Sequence, residues 1–434
     1  MRRPSRRGLD EREQVESRRG LEETRICARV ASLNQRCEAN MRLSKRQFLG
    51  WSTVAAAGAG LGFASLGRRQ AQAGARVRLR SDPQGVLDLP DGFSYSVLQR
   101  AGDRMSDGRR MRPRPDGMAA FSAPNDQIIL MRNHELGAPE GGVSRLVLDG
   151  ERLEVLGSND VLVGTAVNCA GGPSPWGWLS CEEVPDRGGV WICPVESDQL
   201  LTGRDRRRID AYGSFRHEAV ALDPRTHVSY LTEDEFDGAL YRFVPTQPQH
   251  PFQGRLEAMT AKQPGFATQT MQLGDTVEVG WVEVPATGTR AAALAVGAAK
   301  VQRGEGIWWH EGEVFFTATV HGQVFRLVAD ARDSSRAQLT VVANGLRMPD
   351  NITVAPWGDL VVAEDNSAEN YLRFIDRAGI VRDFARHPTN PRDEFAGVCF
   401  DASGRYLFVN IQHTGLTLAV SGPFEDFGRG RETS

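Results

Sequence analysis

From about residue 160 onward the chain repeats one short pattern, and a pattern repeated at strand length leaves few folds open. An acidic or amide residue precedes an apolar run. A Gly- or Asp-containing turn follows, and a second apolar run ends on an acidic, polar or thiol residue. Asn168 leads to 176–183, 217–223 to 228–235, 305–309 to 314–317, 350–354 to 360–365, and 394–400 to 406–410. Third apolar runs follow at 239–243, 323–327 and 371–375. Each copy reads as a small antiparallel sheet. Evenly spaced short strands imply an all-β fold, a β-propeller of about six blades, which leaves only short, protected sheet edges. Segments 95–99, 127–132 and 143–148 supply one more blade. Two stretches break the pattern. Residues 247–286 are irregular and polar and read as a long inserted loop over one face. Ala-rich 290–300 reads as a short helix just before Arg303.

The N-terminus reads as an address. Residues 1–40 are charged and lack apolar periodicity, so they read as a disordered or unused leader, with Met41 the better start. Residues 41–73 hold Ser44-Lys45-Arg46-Gln47-Phe48-Leu49, a weakly apolar stretch from Trp51 to Leu66, and Ala71-Gln72-Ala73. That is a signal peptide with a cleavage site, too short in its apolar part to span a membrane. Lys45-Arg46 resembles the twin-arginine export signal, with Lys in place of the first Arg. The expectation is a periplasmic or secreted protein, exported by the twin-arginine translocase, with residues 74–434 as the propeller domain. A net charge of -3, from 52 basic and 55 acidic residues, gives no reason to expect nucleic acid or a membrane surface as partner. Beyond the leader only Cys169, Cys181, Cys193 and Cys399 remain. They make no disulfide scaffold, and leave open whether one disulfide forms.

In a propeller the innermost strands line a central channel. If the repeat holds its register, Glu182, Glu218, Asp234, Glu305, Glu364, Asp365 and Glu394 converge at one mouth of it. Clustered carboxylates do not all ionise without compensating positive charge. Carboxylate and amide oxygens suit Ca2+. Cys181, beside Glu182 and Glu183, adds a soft thiolate that points to a transition metal, iron before others. His217 beside Glu218 reads equally as a ligand-orienting or a structural histidine, and Asn133-His134-Glu135 as channel lining. A Gly-x-Ser-x-Gly nucleophile elbow and a His-Glu-x-x-His zinc motif are both missing from the sequence.

One ordered set of motifs resembles the PhoX alkaline phosphatase family. It runs from Asn168-Cys169-Ala170-Gly171-Gly172 and Ser180-Cys181-Glu182-Glu183 through His217-Glu218, Glu233-Asp234 and Arg303-Gly304-Glu305. It continues with Pro349-Asp350-Asn351, Glu364-Asp365, Glu394-Phe395-Ala396-Gly397 and Asn410-Ile411-Gln412. The resemblance covers roughly residues 85–425. It implies a monomeric propeller that holds iron and calcium ions (Fe3+ and Ca2+) and hydrolyses small phosphate monoesters. It implies Cys181 as an iron ligand, Glu182, Glu218, Asp234 and Glu305 as the other metal ligands, and Arg303 as the catalytic group on the substrate phosphate. The chain departs from the family pattern at Gly304, where a proline is usual, and around Trp176. Two alternatives carry different chemistry: a calcium-dependent lactonase or esterase using Asn351, Asp365 and Glu218 without a thiolate, and a non-catalytic binding propeller.

Overall fold

A computed structural model describes residues 77–430. The leader and signal segments, 1–40 and 41–73, lie outside the described residues. Twenty-five strands carry the fold, with short helices at Thr289–Ala295 and Phe424–Gly428. Strand β1 is Ser94–Arg100. Strands β2–β5 (Pro115–Ala123, Gln127–His134, Gly141–Asp149, Val155–Thr165) form one sheet. Strands β6–β9 (Asn168–Ser174, Gly177–Glu182, Val190–Cys193, Arg207–Arg208) form the next. A nine-stranded sheet holds β10–β13 (His217–Leu222, Ser229–Glu233, Leu240–Pro245, Gly254–Ala261) and β14 (Thr276–Val284). It continues with β15–β18 (Gly304–His310, Glu313–Ala318, Gln323–Ala329, Arg336–Ala343), and β14 joins β13 to β18. Strands β19–β22 (Pro349–Val354, Leu360–Glu364, Tyr371–Ile375, Val381–Arg386) follow. Last come β23–β25 (Phe395–Phe400, Tyr406–Ile411, Leu416–Ser421), with β1 as the fourth strand of their sheet.

The sheets stand side by side in a propeller-like ring. Each first strand touches the next: β2 meets β6, β6 meets β10, β10 meets β15, β15 meets β19, β19 meets β23, and β23 returns to β2. Small residues allow this approach. A side chain on Gly117 would strike the backbone of Ala170, and one on Gly306 the backbone of Asn351 and Ile352. Apolar residues between the sheets build the core, as in the Phe93, Phe374, Phe384, Phe424 and Phe427 cluster under the closing sheet.

Two expectations change. Segment 247–286 is not a bare loop. It contains β13 and β14, whose apolar positions are interleaved with Glu, Thr and Gly, so its alternation is diluted. Segment 95–99 does not join 127–132 and 143–148. It leaves them to pair with β25, Ser94 opposite Ser421 and Arg100 opposite Leu416. A local pattern does not reveal a partner at the other end of the chain.

One buried cation ties this seam. Arg132 on β3 is 1% exposed. It donates to Ser144 on β4 (3.0 Å), to Gln99 on β1 (2.8 Å) and to Thr417 on β25 (2.6 Å). Burial pushes its pKa down to about 9. Arg132→Met strands those three acceptors in the interior. The expected cost is about 3 kcal/mol of stability, read as a lowered urea midpoint.

Candidate metal centre

The six first strands begin at one level. Their first paired residues are Pro115–His134, Asn168–Glu182, His217–Glu233, Gly304–Ala318, Pro349–Glu364 and Phe395–Ile411. The residue after each second-strand partner donates its N–H to the carbonyl preceding the first strand. These bonds run from Glu135 to Arg114 (3.0 Å), Glu183 to Val167 (2.9 Å) and Asp234 to Arg216 (3.3 Å). The others run from Thr319 to Arg303 (3.0 Å), Asp365 to Met348 (3.1 Å) and Gln412 to Glu394 (2.9 Å). One residue into the first strands come Asp116, Cys169, Glu218, Glu305, Asp350 and Ala396. There, or one residue further on in β23, the ladder shifts register in every one of them. A bulge turns a side chain away from the strict alternation of a strand. Four of the entry corners are left-handed: Arg114, Val167, Arg303 and Met348 have φ of 52, 48, 51 and 48°. Such a conformation costs an L-residue about 1–2 kcal/mol, and for β-branched Val167 it is a true outlier. Strain repeated at equivalent corners marks this level as the working end of the fold.

Three groups of possible metal donors meet here: Cys169, Glu183 and Glu218; Glu218, Glu305 and Asp350; Asp350, Asp365 and Glu394. Within each group the ligand atoms lie within 4.8 Å of one another, and Glu218 and Asp350 are shared, so the groups form one chain. The Cys169 thiol lies 3.3 Å from Glu218 Oε1 and 3.9 Å from Asp116. Glu218 Oε2 is buried without any hydrogen-bond partner. Gln412 Nε2 donates toward Asp116 (2.7 Å), Glu135 (3.1 Å) and Glu394 (3.1 Å), three carboxylates for two N–H groups.

Burial, then the neighbouring carboxylates, pushes Asp116, Glu183, Glu218, Glu305 and Glu394 well above the usual carboxylate range. Asp350 rises to about 8 for the same reasons, Asp365 being its nearest opponent. Burial, Asp116 and Glu218 raise the Cys169 thiol. Asp234 is the exception. Burial works to raise it, but Arg303 and Arg216 outweigh burial and hold it low. A buried, oxygen-rich, mutually repelling set with an orphaned carboxylate oxygen is what bound cations would relieve, so the residues fit metal ions.

The expected site residues divide. Glu218, Glu305, Asp365 and Glu394 lie in the donor chain. Asp234 lies beside it, bound by Arg303 at 2.6 and 3.1 Å. Arg303 also reaches Glu305 (3.0 Å) and keeps 27% of its side chain exposed. Cys181 and Glu182 are not brought there. Cys181 is fully buried among Leu179, Val190, Tyr212, Phe215 and Leu231, and burial lifts its thiol. Glu182 accepts the Ala166 N–H at 3.1 Å, and Glu364 pairs with Arg373 at 3.0 Å. Both sit one residue before the level of Glu183 and Asp365, and one residue along a strand reverses the face. His217 stacks on Phe215 at 3.6 Å and bonds Gly213 O, a structural role. Sequence reasoning missed Cys169, Glu183 and Asp350 as donors, and Asp116 beside them. The small residues after Cys169 were a usable signal, because Gly171 and Gly172 leave no space for side chains against β7 and β10 and so mark an inner strand. All four cysteines among the described residues are free and buried.

An apolar cavity of about 320 Å³ opens at the other ends of β6, β10 and β15, against Pro173, Leu222, Trp308 and Trp309. It carries no titratable group, so the chemistry belongs to the acidic end.

Comparison with known proteins gives one family. The model of alkaline phosphatase PhoX matches residues 76–153, 150–203, 189–339 and 323–415. Among solved structures the chain is similar to Pseudomonas fluorescens PhoX in complex with vanadate, a transition state analogue. Identity there is 17%, over 83% of this chain and 98% of that one, with a TM-score of 0.66. A gluconolactonase from Xanthomonas campestris aligns at 13% identity over 82% of this chain and 99% of its own, with a TM-score of 0.46. No curated protein sequence matches significantly.

Proposed function

The chain belongs to the PhoX family of alkaline phosphatases, a metal-dependent phosphatase on a propeller fold, and from that premise we propose how its own residues serve the hydrolysis of phosphate monoesters. Cys169, Glu183 and Glu218 hold iron, Fe3+, because a thiolate suits a softer ion than Ca2+. Glu218, Glu305 and Asp350, and then Asp350, Asp365 and Glu394, hold Ca2+ through oxygens alone. The observation that carries this reading is the continuous chain of buried donors with the unpartnered Glu218 Oε2 in its middle. When bound, the ions supply Lewis acidity toward the phosphoryl oxygens and a water of lowered pKa.

Arg303 is the catalytic arginine of the reading. Its Nε and Nη2 are occupied by Asp234 and Glu305, which orient the guanidinium and leave Nη1 for a phosphoryl oxygen. Arg216 (3.3 Å to Glu183) and Arg114 (3.1 Å to Glu135) neutralise carboxylates at the rim. The closed acidic centre admits the phosphoryl group, while the rest of a small phosphoester stays at the open mouth. Arg303→Lys keeps the charge beside Asp234 but loses the planar fork. Its kcat/KM on an aryl phosphate is expected to fall about 100-fold with metal content unchanged. Elemental analysis of the purified protein, paired with that assay, tests the whole reading. Iron and calcium both missing from an active enzyme would overturn it.

The nine-stranded sheet is read as two blades, β10–β13 and β15–β18, sharing β14 between their outer edges, which makes six blades in all. No helix among the described residues is long and apolar enough to cross a membrane. Export of a folded monomer by the twin-arginine translocase, to the periplasm or beyond, completes the proposal. It rests on residues 41–73, outside the described part.

A further inference from the structure

The repeat has one more polar position. On each second strand, the residue just inside the first paired residue is Asn133, Cys181, Thr232, Thr317, Ala363 or Asn410. The two asparagines and two threonines are buried. Each donates across to the next first strand around the ring. Asn133 Nδ2 reaches the Cys169 carbonyl (3.2 Å) and the Ala170 carbonyl (2.7 Å). Thr232 Oγ1 donates to Glu305 O at 2.6 Å, and Thr317 Oγ1 to Asp350 O at 2.6 Å. Asn410 Nδ2 donates to Asp116 O at 2.7 Å. Apart from Ala170, these are backbone carbonyls of the residues that present thiol or carboxylate groups at the acidic level.

We infer that Asn133, Thr232 and Thr317 are positioning residues for the metal centre, each holding from the neighbouring sheet the main chain of a donor residue, and that Asn410 holds in the same way Asp116, which stands beside Cys169. The inference rests on the reading of the acidic level as a metal site. A bulge leaves its carbonyl without a ladder partner, and a buried carbonyl needs one. The position before β23 is apolar Ala363, and there Ala396 keeps its ladder partner Asn410. Of the four first-strand residues in the donor chain, Cys169, Glu218, Glu305 and Asp350, only Glu218, preceded by Cys181, lacks the hold. A carbonyl held by a short bond fixes the Cα–Cβ direction of its residue and so the reach of its ligand atom. Loss of such outer support typically weakens metal binding 10- to 100-fold.

The test uses the mature chain, stripped of metal and titrated with Ca2+ alone. Thr232→Val and Thr317→Val remove a hydroxyl at nearly constant volume, and Thr232→Ser and Thr317→Ser keep it. Thr353→Val is the control, since the Thr353 hydroxyl is buried with no partner. Calorimetric Kd values and metal-free melting temperatures are measured together. The valine variants should bind Ca2+ about 10- to 100-fold more weakly, while the serine variants and Thr353→Val stay near wild type. Valine variants with wild-type Kd, or serine variants as weak as the valines, would overturn the inference while leaving the metal reading standing. A wild-type protein that binds no Ca2+ would remove both.

Discussion

Cys169→Ala should purify as a folded protein without its iron, its phosphatase activity lowered by about 1000-fold or more, the scale expected when the group organising a metal site is lost. Cys181→Ala should keep both iron and turnover. The two thiols lie in neighbouring strands of one sheet and both are buried, yet their surroundings differ in kind. Cys169 faces Glu218 at 3.3 Å and shares a donor group with Glu183. Cys181 packs against Leu179, Val190 and Leu231, where its loss opens a small cavity and costs about 1–2 kcal/mol. Iron by elemental analysis, urea midpoint and aryl phosphate turnover separate the cases. Iron lost from Cys181→Ala and retained in Cys169→Ala would reverse the ligand assignment.

Removing the ions from the wild type should lower its melting temperature by on the order of 10 °C. Each ion present at a thousand times its Kd stabilises the folded chain by about 4 kcal/mol, and several act together, at roughly 2 °C or more per kcal/mol. The metal-free centre also keeps a buried set of carboxylates with one arginine pair, Arg303 and Arg216, gathered on Asp234. Differential scanning calorimetry before and after chelation, with Ca2+ restored in a third run, provides the measurement. An unchanged melting temperature after proven loss of metal would mean that the acidic residues need no cation to stay together.

Much of this was readable from the chain. Alternating apolar runs located the strands because half-buried sheet positions demand them, and Glu218, Glu305, Asp365 and Glu394 were found from their phase in the repeat. Cys181 and Glu182 are the ligands the family resemblance implies, at the close of a second apolar run, and a reading that assumes an unbroken ladder does not bring Cys169 and Glu183 inward. The ladder shifts between Asn168 and Gly171, and a bulge decides which side chain looks inward without leaving a compositional mark. Left-handed Val167 is invisible for a similar reason, since valine is a residue no rule would place there. The pairing of β1 with β25 was hidden by distance, and that of β13 and β14 by their polar dilution.

That same β1 sets a condition on synthesis. Ser94 and Ser421 are partners 327 positions apart. A nascent polypeptide therefore emerges with an edge strand whose mate stays unmade until Leu416–Ser421 has been synthesised. Closure waits for β25, and a chain that stopped short of Leu416 would leave β1 and β24 without their shared partner at once.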